Sequence, residues 1–287
     1  MKLKVNILII FFSLATVVAR TPFQNQLRLA KSGDPIVQNL LGKTYFDGEN
    51  SPENFSEALK WFKLSADQHH APAQYNLGLM YFYGHGVLQS YEKAIYWFEK
   101  AAEQNDAVAQ YELGYIYRFG LGVGRDHDQS AKWFSRSATQ NKIQAQYDLA
   151  INFKNGKGVP QDDHTAFLWF QKAALNGHAA AKYNLGLMYF YGVGTEQNYE
   201  DAIEWLSKAA EAGMVEAQFK LGQIYRYAQG IQQNFVKALM WFEIAAINSH
   251  KDAVAAADEV ATFRMSSAEI NRSIAMAETW LQQTPVK

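Results

Sequence analysis

Ser90-Tyr91-Glu92-Lys93 sets a hydroxyl and an amine three residues apart. On a helix that is one turn, the spacing at which a lysine can activate a serine for acyl transfer to β-lactam or peptidoglycan-like substrates. Such chemistry needs further partners, and the chain offers none in an evident pattern. It has no cysteine, which excludes disulfides, thiolate metal sites and a cysteine nucleophile. The seven histidines are His69, His70, His85, His127, His164, His178 and His250. Three of them, His70, His178 and His250, fall at equivalent points of a long repeat. Those points lie in different units, and even neighbouring hairpins would hold them about 10 Å or more apart, too far to share one metal ion. They read as polar turn residues. No Gly-rich phosphate loop and no acid–base pair of carboxylates is evident. We therefore expect no catalytic residue, no metal and no cofactor.

The elements that hold Ser90 explain it better than chemistry does. Tryptophan recurs every 36 residues, at Trp61, Trp97, Trp133, Trp169, Trp205 and Trp241, and "YNLGLMYFYG" stands at 75–84 and again at 183–192. Numbering each unit from Pro35, position 7 is always Leu, position 11 is Tyr or once Phe153, and position 32 is always Ala. Position 8 is Gly except for Ala150. Positions 3, 7 and 11 share one face of a first helix, and positions 24, 27, 28, 31 and 32 form the apolar stripe of a second. Position 20 is Asn54, Ser90, Asp126, Asp162, Asn198 or Asn234, all N-cap types. Ser90 is thus expected to cap a helix. Asn54 with Glu57 and Asp126 with Gln129 add capping-box spacing. The mid-helix glycine costs about 1 kcal/mol against alanine, which close approach of the partner helix would offset. Bulky Trp and Phe side chains then fill the space between hairpins that cannot hide them alone.

Leu-Gly-x-x-Tyr, the Gly84-x-Gly86 loop and Ala-x-x-Trp-Phe-x-x-Ala-Ala together resemble the Sel-1-like repeat family, a relative of tetratricopeptide repeats. The resemblance implies an all-α protein, an α/α solenoid winding as a right-handed superhelix of six 36-residue helix-turn-helix repeats. The units are 35–70, 71–106, 107–142, 143–178, 179–214 and 215–250. A capping helix is expected within 20–34 and a divergent helix pair within 251–287, opened by a capping box at Ser266 and Glu269, with Trp280 on the last repeat. Departures from the pattern are Ala150, Phe153, Ser130 and Ala228, which stands where a loop glycine is usual.

The same resemblance implies that the first helices line a concave wall and that positions 2, 5, 9, 12 and 13 face out of it. By register these are Tyr75, Leu79, Phe82 and Tyr83, then Tyr111, Tyr115, Arg118 and Phe119, then Tyr147, Ile151, Lys154 and Asn155. They continue with Tyr183, Leu187, Phe190 and Tyr191, and with Phe219, Gln223, Arg226 and Tyr227. The aromatic at position 5 suits either packing across hairpins or the wall itself. Aromatics interleaved with a few cations have the composition of a recognition surface. The expected function is a non-enzymatic scaffold or adaptor that binds a protein or peptide in the concave groove. Two alternatives compete. One is a cell-envelope enzyme or binder acting on β-lactam or peptidoglycan-like ligands, a role linked to a cysteine-rich branch of the family. The other is a glycan-binding module, since such walls also stack on cell-wall sugars.

Residues 1–19 are a different material. A basic "MKLKVN" precedes the apolar "ILIIFFSLATVVA", with Val17 and Ala19 at −3 and −1 of a cleavage site. This is the pattern of a secretory signal peptide. It gives the expectation of an exported protein, periplasmic or secreted, with no membrane span after cleavage. The whole chain is 48% apolar, too much for a disordered one. A net charge of −1 supplies no electrostatic footprint for nucleic acid.

Overall fold

The computed structural model describes residues 22–48 and 54–284, and every element among them is helical. The expected signal peptide, residues 1–19, lies outside the described residues. Contacts divide the chain into two compact units, Met1–Arg125 and Asp126–Lys287. The first unit holds α1 (Pro22–Lys31), α2 (Pro35–Asp47), α3 (Phe55–Ala66), α4 (Ala71–Tyr83), α5 (Tyr91–Glu103) and α6 (Ala107–Phe119). In the second, α7 (His127–Thr139), α8 (Ile143–Asn155), α9 (Asp163–Leu175), α10 (Ala179–Tyr191) and α11 (Tyr199–Glu211) come first. They are followed by α12 (Val215–Tyr227), α13 (Phe235–Ile247), α14 (Ala253–Arg264) and α15 (Ser267–Gln283). Within each unit every helix up to α14 packs on its neighbour in sequence, the packing of a solenoid, and α15 packs on α13 rather than on α14. No helix among the described residues is long and apolar enough to cross a membrane.

The caps set where the second helices begin. All six position-20 side chains accept a hydrogen bond from the first turn, Ser90 Oγ from the Lys93 amide at 3.3 Å among them. The reciprocal half of a capping box forms at Ser266 and Glu269. At Asn54 it does not, because the Glu57 carboxylate accepts from Trp61 Nε1 at 3.1 Å instead. First helices end at residues in the left-handed region, Gly84 at φ 76° and Ala228 at φ 54°. Ala228 therefore takes the glycine conformation despite its Cβ.

The position-8 glycine makes room for the position-28 ring of its own hairpin. A Cβ on Gly42, Gly78 or Gly222 would stand 2.6, 2.6 and 2.5 Å from Phe62, Phe98 and Phe242. Those phenylalanines, with Phe134 and Phe170, are the deepest large side chains. The indoles lie nearer the surface than the sequence suggests. Trp61, Trp133 and Trp241 are buried, whereas Trp97, Trp169 and Trp205 are half-buried. Cations lie over several of them, Lys172 at 4.2 Å from the Trp169 ring and Lys208 at 4.3 Å from the Trp205 ring. Trp97 packs on a cluster that joins two hairpins, Ala58, Phe62 and Ala66 of the preceding repeat with Ala73, Leu77 and Met80 of its own.

A second inter-repeat device was not anticipated. Gln at position 4 is buried, and its amide donates to the position-32 carbonyl of the repeat before. The bonds run Gln38 to Ala30, Gln74 to Ala66, Gln110 to Ala102, Gln146 to Ala138 and Gln218 to Ala210, at 3.1–3.3 Å. Its own oxygen accepts from the position-34 amide, as in Gln68 to Gln38 and Gln104 to Gln74 at 2.8 Å. A buried amide left unpaired would cost about 1–3 kcal/mol, so both ends are satisfied. In the fifth repeat both partners change together, to Lys182 and Ala212.

Candidate binding walls on the first helices

The Ser90–Lys93 pair does not form a nucleophile–base arrangement. Ser90 Oγ is engaged as the cap of α5, and the Lys93 ammonium sits 5.2 Å over the Tyr81 ring. The position-36 histidines are likewise structural. His178 Nδ1 accepts from the Ala181 amide at 3.2 Å while Nε2 meets Gln144 Oε1 at 3.1 Å, which makes Nε2 the protonated nitrogen. Burial pushes the His178 pKa below the ordinary histidine value, against the opposing pull of Asp148. Its ring stacks on Tyr147 at 4.3 Å, and His250 stacks on Phe219 at 4.0 Å. Among the described residues no group of His, Asp and Glu is placed to hold a metal ion.

Position 5 is thereby settled as packing first and surface second. Tyr75, Tyr111, Tyr147, Tyr183 and Phe219 are all half-buried. Tyr75, Tyr147 and Phe219 lean on the position-28 rings of Phe98, Phe170 and Phe242, with centroids 5.8, 5.8 and 5.3 Å apart.

Position 12 overturns part of the sequence expectation. Phe82 and Phe190 are buried, at 9% and 6% exposure. Phe82 meets Tyr91 and Phe98, and Phe190 meets Tyr199, each at the start or on the face of the following helix. A ring at this position reaches sideways into the hairpin rather than out of the wall, because the glycine loop brings position 21 beneath it. The cations at the same position are also engaged. Arg226 forms an ion pair with Glu259 of α14 and lies 4.7 Å from the Tyr227 ring. Lys154 Nζ reaches Asn184 Oδ1 at 3.5 Å. Arg118 is half-buried.

Position 13 carries the open aromatic surface. Tyr83, Phe119, Tyr191 and Tyr227 are 60, 48, 59 and 54% exposed. In the first unit Tyr115 joins them, its ring 4.6 Å from Phe119. Leu79 and Leu187 lie half-buried at position 9, as do Ile151 and Gln223. Asn155 is exposed.

Charge enters this wall through position 6, which the sequence reading passed over. In the first unit burial raises the pKa of Tyr75 and Tyr83, and the negative charge of Glu112 on α6 raises both further. In the second unit the corresponding residue is Lys220. Its ammonium donates to Tyr191 Oη at 3.2 Å and lies 4.2 Å over the Phe190 ring. Burial, then Glu216 at position 2, raise the Tyr183 pKa. Position 6 stands i+3 and i+7 before positions 9 and 13, so helical adjacency alone would have found it.

Comparison with known proteins agrees with this architecture. The Sel1 repeat matches six times, at residues 35–70, 71–106, 107–142, 143–178, 179–214 and 215–250. No curated protein matches the chain. A Sel1 repeat protein from Oxalobacter formigenes is similar at 34% identity over 75% of this chain and 89% of its own, with a TM-score of 0.65. So is c5321, a protective antigen of uropathogenic Escherichia coli displaying an SLR fold, at 29% identity and a TM-score of 0.77. That likeness covers 91% of this chain, which spans 56% of the antigen's length.

Proposed function

Because the chain belongs to the Sel1 repeat family, whose members serve as protein–protein interaction scaffolds, we propose that it is a non-enzymatic adaptor that captures a protein or peptide. The contact surface is the position-13 aromatics with their position-6 charges. The observation that carries this reading is the exposure of Tyr83, Phe119, Tyr191 and Tyr227 at one register of four repeats. Buried Tyr and Trp-type anchors dominate binding energy at protein interfaces, and leaving such rings in water has no structural benefit. The first-unit wall, carrying Glu112, suits a basic apolar segment. The second-unit wall, carrying Lys220, suits an acidic one. Export, on the strength of the leader at residues 1–19, places the partner outside the cytoplasm in this reading.

The test is affinity capture with the tagged full chain, wild type against Tyr83→Ser/Phe119→Ser and against Tyr191→Ser/Tyr227→Ser. These rings are exposed, so circular dichroism and melting temperature should be unchanged while captured partners are lost from one or both variants. Identical capture by both variants would remove the walls from consideration. Exchange of Glu112→Lys and Lys220→Glu should redistribute which partners are held.

A further inference from the structure

Repeat five lacks the amide pair that ties the others together, and a hollow lies beside the gap. Position 34 is Gln or Asn in the other five repeats and Ala212 here, while position 4 is Lys182. With only a methyl at position 34, the turn of Glu211, Ala212 and Gly213 forms part of a cavity of about 600 Å³, within the range of small-molecule sites. Gly177 of the preceding turn extends this small-residue lining. The end of α15 supplies Trp280, Gln283 and Thr284.

The polar groups around the hollow divide into spent and unspent. Gln218 is fully buried, donates to the Ala210 carbonyl at 3.3 Å and accepts from Asn248 Nδ2 at 3.0 Å. By contrast, the Glu211 carboxylate, the Gln283 amide, the Thr284 hydroxyl and Trp280 Nε1 make no hydrogen bond among the described residues. The Trp280 ring is half-buried and held by Trp241, with centroids 5.3 Å apart. Among the described residues no lysine or arginine lines the hollow, so nothing there would hold an anion. Its one charge, Glu211, is exposed, and water and salt weaken it as an anchor for a cation. What remains is an aromatic face beside groups that donate and accept. A pyranose fits that combination, because its C–H face packs on an indole while its hydroxyls exchange hydrogen bonds with carboxylate, amide and hydroxyl.

We propose that this hollow binds a neutral saccharide of one or two pyranose rings, stacked on Trp280, with its hydroxyls on Glu211, Gln283 and Thr284. Gly177, Ala212 and Gly213 leave room for a ring to lie close to the backbone. The site shares no residue with the aromatic walls and does not depend on the adaptor reading.

The experiment is isothermal titration of the full chain at neutral pH with cellobiose, lactose, sorbitol and agmatine. The disaccharides offer C–H faces and hydroxyls, sorbitol offers hydroxyls without a ring, and agmatine offers a cation for Glu211. At least one disaccharide is expected to bind a single site at least tenfold more tightly than sorbitol. Glu211→Ala and Gln283→Ala, both at exposed positions, should each weaken it at least threefold with circular dichroism unchanged. Trp280→Leu should abolish binding. Should that variant lose the end of α15, Trp280→Phe, which keeps a smaller ring, should weaken the disaccharide and leave sorbitol as it was. Absence of binding by both disaccharides, sorbitol binding as tightly as they do, or disaccharide binding untouched by Gln283→Ala and Trp280→Phe would each overturn the proposal. So would agmatine binding more tightly than either disaccharide, which would assign the hollow to a cationic side chain of a peptide.

Discussion

The ten residues 75–84 and 183–192 are identical, yet they do different work in their two units. Inside the hairpin the copies agree: Leu77 and Leu185, Gly78 and Gly186, Met80 and Met188, Phe82 and Phe190 are all buried. At the surface they part. Asn76 Nδ2 donates to Asn39 Oδ1 at 2.9 Å, while Asn184 Oδ1 accepts from Lys154 and its Nδ2 turns to the Ala180 carbonyl. Tyr83 faces Glu112 and Tyr115, whereas Tyr191 bonds Lys220. Packing is therefore written in the repeat itself, and the chemistry of the exposed surface is written in the neighbour. Repetition conserves the first without constraining the second.

The largest test of this division is removal of the shared core ring. Phe82→Ala and Phe190→Ala should each cost about 3–5 kcal/mol in urea unfolding, as for other buried aromatics. They should not behave as silent surface changes. Lys220→Ala should weaken only the second copy, by about 0.5–1 kcal/mol, through loss of the ammonium over Phe190. A Phe82→Ala protein with unchanged stability would return that ring to the wall.

A smaller difference is expected at the shared glycine. The atoms nearest a methyl on Gly78 belong to the Phe98 ring, at 2.6 Å, and Ala150 already occupies this position opposite Phe170. On Gly186 it meets the Leu206 branch carbon at 2.8 Å and backbone of α11 at 3.1 Å, with no ring to tilt aside. Overpacking of this kind costs about 1–3 kcal/mol, against a helix-propensity gain of about 1 kcal/mol. Both substitutions should destabilise in thermal unfolding, Gly78→Ala less than Gly186→Ala, because a ring can shift where backbone cannot. Equal effects would mean that the two hairpins close alike.

What could be read from the chain follows the same line. Contacts local to a hairpin repeat in register, so the helices, the six caps and the glycine at position 8 were all legible. Contacts that depend on the next element were not. The position-4 glutamines recur five times, but their acceptor is the end of the preceding repeat, which no hairpin considered alone contains. Position 16 is similar: a Cβ on Gly158 would lie 1.8 Å from the His127 carbonyl, a contact between successive repeats. Arg226 looked like a wall cation because its partner Glu259 lies in α14, outside the repeating pattern. Phe82 was misplaced for a geometric reason. Position 12 lies on the border between buried and open faces, and only the placement of Tyr91 decides which side it joins.

The smallest effect concerns how the two helices that carry the identical stretch begin. Each follows a histidine, yet His70 makes no side-chain cap and His178 does. His178→Ala should cost about 1 kcal/mol near pH 8, and His70→Ala less. Protonation removes the acceptor at His178 Nδ1, so the cap exists only in the neutral form. Since the folded pKa is depressed, the unfolded chain takes up the proton first. The contribution should be complete above the ordinary histidine value and fall away as pH drops through the lower folded one. Double-jump urea titrations of wild type and His178→Ala at pH 8 and pH 5 should therefore converge on acidification. A constant gap between them would leave the Ala181 amide bond without energetic consequence and make the two helix starts equivalent.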